Sequence, residues 1–206
     1  YIPPALLFGW FVGRIGRAVQ PRKAVEALLL LILVGLSVWF TWQQRTIAEP
    51  QTFAMVTRPD LRAMTWIREN TEPEAIFLVE GFRAFYNTTA VGSDAGWWIP
   101  LLASRENSMP PLYALASELP LEADYSTQVV ELVEALETIP LSSKEGLNLL
   151  CDKGITHVYI GQLQGLVGIA WMNQSYTAEE MLEQPFYKLV YHQDRVHIFA
   201  LTPEAC

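Results

Sequence analysis

The stretch Gly92–Arg105, GSDAGWWIPLLASR, concentrates residue types able to hold a ligand. Asp94 offers two acceptor oxygens. Trp97 and Trp98 offer broad apolar faces, and Gly96 lets a ligand come close to the backbone. That combination suits a sugar, because an indole covers pyranose C–H groups while a carboxylate takes hydroxyl protons. Asp94, Gly96, Trp97, Trp98 and Arg105 are therefore the expected substrate-binding residues. The same residues admit a second use. Large aromatics are usually mostly buried, so the two tryptophans equally fit a plug in which they point different ways and at least one fills the core.

Other chemistry is sparse. Glu80 and Asp94 have the side chains of an acid/base pair, but the part beyond residue 42 holds 21 acidic residues, enough for two to meet by chance. There is no nucleophile elbow, no metal-ligand spacing and no cofactor motif. No catalytic residue, metal or cofactor is expected from the sequence. His157, His192 and His197 alternate with apolar residues in strand-like runs, where a structural role is expected. Cys151 lies in EGLNLLCDKG and reads as a small buried hydrophobe. Cys206 is the last residue. A disulfide between them is open, and nothing in the spacing argues for one.

Charge divides the 206 residues sharply. Residues 1–42 hold Arg14, Arg17, Arg22 and Lys23 against Glu26, a balance of +3; the remainder, with 10 basic and 21 acidic residues, stands at −11. A part that acidic repels a phosphate backbone, which argues against nucleic acid as a partner. Within the basic part, Ala24–Trp42 is AVEALLLLILVGLSVWFTW, 19 residues with one charge. At 1.5 Å per residue that is roughly 28 Å, close to the hydrocarbon thickness of a bilayer. Trp39 and Trp42 stand one turn apart at its end, as interfacial anchors do. The preceding YIPPALLFGWFVG is itself apolar and reads as the end of an earlier span, which argues against a cleaved signal peptide. The basic residues lie in and around GRIGRAVQPRK between the two, so that loop is expected to be cytoplasmic. Everything from Gln43 on is then extracytoplasmic.

The chain thus divides into a membrane segment, 1–42, a linker, 43–58, and an α/β domain, 59–206. In that domain PDLRAMTWIREN is an amphipathic helix with Leu61, Met64 and Ile67 inward, Trp66 a further candidate, and Pro59 or Asp60 near its N-cap. AIFLVE is a short buried strand. The segment 81–120 is expected to be largely loop, with a helical turn at WIPLLASR. Asp124–Ile139 is the clearest helix, with a stripe of Val129, Leu132, Val133 and Leu136. A second follows, capped by Ser142 or Ser143 and closed by Gly154. ITHVYIG is a strand, and TAEEMLEQ starts a helix with a capping box from Thr177 to Glu180. FYKLVYHQDRVHIFALT closes the chain as a hairpin joined at HQD. The expected fold is a small mixed sheet with flanking helices, in three layers or with helices on one main face.

In LRAMTWIRENTEPEAIFLV, GITHVYIG and FYKLVYHQDRVHIFAL, the order of helix, strand and turn resembles the C-terminal end of a polytopic bacterial glycosyltransferase of the GT-C superfold. The resemblance implies a multi-pass protein of the cell membrane whose external α/β domain assists acceptor or glycan binding. It implies a lipid-linked sugar as donor. It places the catalytic acid in an early external loop, upstream of these residues, so no catalytic residue is carried over. The acceptor-binding Trp-Trp-Asp-Tyr-Gly motif of oligosaccharyltransferase is not matched, because here Asp94 precedes the tryptophans. The alternative is a non-catalytic, membrane-anchored binding or interaction module.

Overall fold

A computed structural model describes residues 9–11, 13, 14, 22–44, 54–109, 124–167, 170–202 and 206. The expected earlier span, most of the basic loop, the linker up to 53 and the segment 110–123 lie outside the described residues. Two compact units separate at Phe53/Ala54.

The first unit contains one long described helix, α1 (Arg22–Gln43), of 22 residues. Leu28, Leu30, Leu31, Val34, Val38, Trp39, Phe40 and Trp42 along it are exposed. Among the described residues no helix is long and apolar enough to cross a membrane. The span therefore rests on the sequence and not on the structure.

The second unit is an α/β domain. Its helices are α2 (Arg58–Asn70), α3 (Ile99–Ala103), α4 (Tyr125–Leu136), α5 (Lys144–Asp152) and α6 (Ala178–Leu182). A five-stranded mixed sheet runs in the order β4 (Glu106–Asn107), β1 (Ile76–Leu78), β5 (His157–Ile160), β9 (Val196–Leu201), β8 (Tyr187–Gln193). β1 is parallel to both β4 and β5, pairing Phe77 with His157 and Leu78 with Val158. The terminal hairpin adds β9 antiparallel to β5 and β8 antiparallel to β9. Two small hairpins follow the parallel strands: β2 (Gly81–Ala84) with β3 (Thr89–Gly92) after β1, and β6 (Leu166–Val167) with β7 (Ala170–Trp171) after β5.

The strand period of two sorts the core into two clusters, one on each face of the sheet. Phe77, Val79, Tyr159 and Ile198 pack with Ala63, Met64 and Ile67 of α2 and with Ile99 and Ala103 of α3. Leu78, Val158, Ile160 and Phe199 pack with Leu150 of α5 and Met181 of α6. α4 serves both, through Val129 and Val133 on one side and Leu132 and Leu136 on the other. The result is three layers.

Three expectations are corrected. Leu61 is 48% exposed, not inward. The buried stripe of α2 is Asp60, Ala63, Met64 and Ile67, rotated toward Asp60 because that carboxylate is bonded into the sheet. Its N-cap is Thr57, one turn before Asp60. The segment from Gly81 is not mainly loop: the described part holds β2, β3, a 3-10 turn at Ala95–Trp98, α3 and β4. Its hairpin turn is Phe85–Asn87, three residues with φ of 49°, 59° and 64°. Turns of that geometry usually announce themselves with glycine. Lastly, Cys151 is no inert hydrophobe. It forms a disulfide with Cys206, with 5.5 Å between their Cα atoms.

A cluster of buried carboxylates at the carboxyl ends of two strands

Just beyond the carboxyl ends of β1 and β5 the chain buries three carboxylates, Asp60, Glu80 and Asp94. Each takes one donor from the segment that follows β5, Gly161, Gln162 or Gln164, and others from elsewhere. Asp60, in the first turn of α2, accepts from the Thr57 N–H at 2.8 Å and the Thr57 hydroxyl at 2.6 Å. Its other oxygen accepts from the Tyr159 hydroxyl at 2.8 Å and the Gln162 N–H at 3.0 Å. Asp94 caps the 3-10 turn: Oδ1 accepts from Gly96 N–H at 2.8 Å, and Oδ2 from Gly161 N–H at 3.0 Å. Glu80 ends β1 and accepts from Gln164 Nε2 at 2.8 Å and from Ser175 N–H at 3.2 Å.

Among the described residues these acids have no basic partner, because the ion pairs join Arg62 to Asp194 and Arg83 to Glu134 and Glu137. Burial without a counter-charge disfavours ionisation. Burial pushes Asp94 up to about 7, the charges of Asp60 and Glu80 push the same way, and the two glycine N–H groups oppose them. Glu80 is raised as well, by burial first, against its bonds to Ser175 and Gln164. The Tyr176 hydroxyl is buried with no hydrogen-bond partner among the described residues. Burial and the neighbouring charges of Glu80 and Asp94 hold it well above the usual tyrosine range.

A carboxyl that titrates near 7 has the proton affinity of a general acid or base. Access decides against that use here. Asp94 exposes no surface, and both its oxygens already accept backbone protons. The arrangement ties three crossover loops to one another. Among the described residues no group of acids, histidines and cysteines is placed to hold a metal ion.

The residues expected to bind substrate divide in the same light. Gly96 is packed so closely that an added Cβ would lie 2.6 Å from Val79 Cγ1 and 2.9 Å from Tyr159 Cδ1. Its space is filled by protein, not left open. Trp97 packs against the core cluster, with its Cβ 2.6 Å from where a side chain at Gly92 would begin. Trp98 is 36% exposed. Arg105 closes the end of α2, donating to the Arg68 carbonyl at 3.0 Å, the Thr71 carbonyl at 2.7 Å and the Thr71 hydroxyl at 3.1 Å. Asp94, Gly96 and Trp97 are thus brought together with Tyr159 and Gly161, and Arg105 stands apart from them. Of the five, Trp98 is the one whose side chain is open to solvent.

Asp60, Gln162 and Gln164 were not singled out as a site by their types. Asp60 reads as a residue near the helix N-cap, and it completes the capping box by accepting from the Thr57 N–H. The two glutamines sit in an uncharged run after a strand, GQLQG, which carries no signal of its own.

No protein-family model matches the chain, and no curated protein matches it. Among solved structures, the chain is similar to the C-terminal globular domain of an oligosaccharyltransferase from Archaeoglobus fulgidus. The identity is 12%, over 71% of this chain and 99% of that one, with a TM-score of 0.42. A score at that level assigns neither fold nor activity, and both rest on the chain's own residues.

Proposed function

We propose that the 54–206 unit is the extracytoplasmic domain of an integral membrane glycosyltransferase that uses a lipid-linked sugar donor. In this reading α1 crosses the bilayer. The domain helps to bind acceptor or glycan, and the chemistry belongs to parts of the protein upstream of this chain. One observation carries the placement: the disulfide between Cys151 and Cys206. Such bonds persist in oxidising compartments outside the cytosol. The charge split agrees, with +3 before residue 43 and −11 after it. The glycosyltransferase assignment is supported by the order of helix, strand and hairpin that resembles the GT-C external domains. Within the domain, Trp98 is the expected residue positioned to lie against a sugar, with Asp94, Gly96 and Trp97 forming the packed floor beneath it.

A second reading, a membrane-anchored binding module with no catalytic part, is favoured by the saturation of Asp94. Its carboxylate is fully committed to backbone donors, so the domain itself offers no acid/base pair there.

Topology is tested by placing a cysteine at Gln51 in the full-length protein. It should react with a membrane-impermeant thiol reagent in intact cells, and labelling only after lysis would reverse the orientation. Activity is tested by incubating membranes that contain the full-length protein with radiolabelled lipid-linked sugar and an acceptor. Transfer that Trp98→Ala weakens supports the first reading. Glycan retention without transfer points to the binding module.

A further inference from the structure

We propose that the β2–β3 and β6–β7 hairpins rest in the interfacial layer of the membrane, turning the carboxyl edge of the sheet toward the bilayer. The proposal rests on the membrane-span reading of α1.

Charge is the first argument. Between Arg83 and Asp94, and again between Lys153 and Glu179, the sequence contains no Asp, Glu, Lys or Arg, although the part beyond residue 42 stands at −11. The first interval holds the turn and β3 of one hairpin, and the second holds β6 and β7 of the other. Elsewhere at the same edge charge is normal: Lys144 and Glu145 begin α5, and Asp194 and Arg195 form the β8–β9 turn. Around the first hairpin, Arg83 draws Glu134 and Glu137 to itself, at 3.5 and 2.6 Å. That guanidinium offsets one of the two negative charges.

Shape is the second. The turn of the first hairpin presents Phe85, 68% exposed, and a fully exposed Tyr86. Both are held at positive φ, a conformation that is costly for bulky residues. Thr88 closes the turn on the Phe85 carbonyl, and both rings are left largely to solvent. The second hairpin exposes Trp171, at 61%, and Met172. Small-molecule sites are concave and convergent. A convex turn bearing amphipathic rings suits the headgroup layer, where tyrosine and tryptophan are enriched.

The third argument is where the domain begins. Thr57 is bonded to Asp60, and Asp60 to the Gln162 N–H just past β5. Thr57, at the start of the domain, therefore stands at the edge from which both hairpins emerge.

The test reconstitutes the full chain in phosphatidylcholine vesicles with an environment-sensitive fluorophore on single added cysteines, the native pair remaining a disulfide. Tyr86→Cys and Trp171→Cys report the hairpins. Glu72→Cys reports the opposite edge, and Gly35→Cys reports α1. Spin-labelled lipid carrying its label near the headgroup should quench positions 86 and 171 at least about twofold more than position 72. Deep-labelled lipid should quench position 35. Equal quenching at 86, 171 and 72 with deep quenching at 35 overturns the proposal and leaves the span standing. Failure at 35 with strong quenching at 86 and 171 removes the span and keeps the hairpin contact. Failure at all four positions removes both. Because the substituted side chains are exposed, folding is checked by retention of the disulfide and of the far-ultraviolet spectrum. Phe85→Asp combined with Tyr86→Asp should halve the quenching at 171 without moving the thermal midpoint; unchanged quenching at 171 overturns joint docking of the two hairpins.

Discussion

The two ends of β1 and β5 are stabilised by opposite means. At the amino end, Gly154, with φ 67°, closes α5 into the strand. Thr156 bonds across to Ile76, and the disulfide fastens α5 to the chain terminus beyond β9. Beside that covalent bond stand the Thr156–His157 contact at 2.8 Å and the Arg105 guanidinium on the carbonyls that end α2. At the carboxyl end, three uncompensated acids are held by backbone and side-chain donors, most of them from the segments around the strand ends. Among the described residues the first end buries no carboxylate on which changes of pH and salt could act. The second converts them into changes of stability. The difference teaches that a site crowded with carboxylates is not thereby a catalytic site: what matters is whether an oxygen is left over, and here none is at Asp94.

The sharpest way to break this contrast is Asp60→Ala. It leaves the buried Tyr159 hydroxyl and the Gln162 N–H unpaired together, and each orphaned donor costs about 1–3 kcal/mol. Denaturant unfolding of the domain should show a loss of about 4–5 kcal/mol; a loss below about 1 kcal/mol would mean the cluster is dispensable. At the other end, Cys206→Ser opens a loop with a sequence separation of 55, which chain entropy values at about 4 kcal/mol. The same measurement under reducing conditions should then leave the variant unchanged and bring the parent down to it.

Third in size is the response to pH. Asp94 has a native value of about 7 against roughly 3.9 when unfolded. Between those limits the native state binds more protons than the unfolded state. Stability is therefore full below about pH 4, falls as pH rises through 7, and levels off above it, by up to about 4 kcal/mol. Asp94→Asn should flatten that slope. It also turns an NH2 toward either the Gly96 or the Gly161 N–H, so it should destabilise the domain by about 1–3 kcal/mol at low pH. A slope that survives the substitution would assign the titration to Glu80. The smallest effects separate the two tryptophans. Trp97→Ala should cost about 2–4 kcal/mol, since its ring packs on the core, and Trp98→Ala within about 0.5 kcal/mol. Equal costs would mean that Trp98 is not available to a ligand.

What was legible in the sequence was local. The stripe of α4, the Ser143 cap that accepts from Gly146 N–H, the glycine at 154 and the Thr177–Glu180 capping box each need only a few neighbouring residues to be read. The terminal hairpin is likewise continuous in the chain. The β2–β3 hairpin was hidden because aromatics occupy its left-handed turn. The disulfide was hidden because two cysteines 55 apart carry no geometric information until β9 has folded back onto β5. The meeting of Asp60, Glu80 and Asp94 follows from the parallel pairing of β1 with β5, a contact across 80 positions that periodicity does not encode. Asp94 and its glycines were chosen by residue type, and the structure shows what the type alone did not: which way the carboxylate faces.

At Gly161 an added Cβ would stand 2.6 Å from Asp94 Oδ2. Asp94 and Gly161 consequently form a unit of inheritance as much as of structure. A lineage that keeps the acid has no room for alanine at either glycine. A lineage that loses the acid loses the main reason for Gly161, whereas Gly96 stays confined by Val79 and Tyr159, so Asp94 and Gly161 should change together while Gly96 persists. In a chain with so little else to align, Asp-x-Gly before a short helix and a glycine directly after a later buried strand are the letters by which distant relatives would be known.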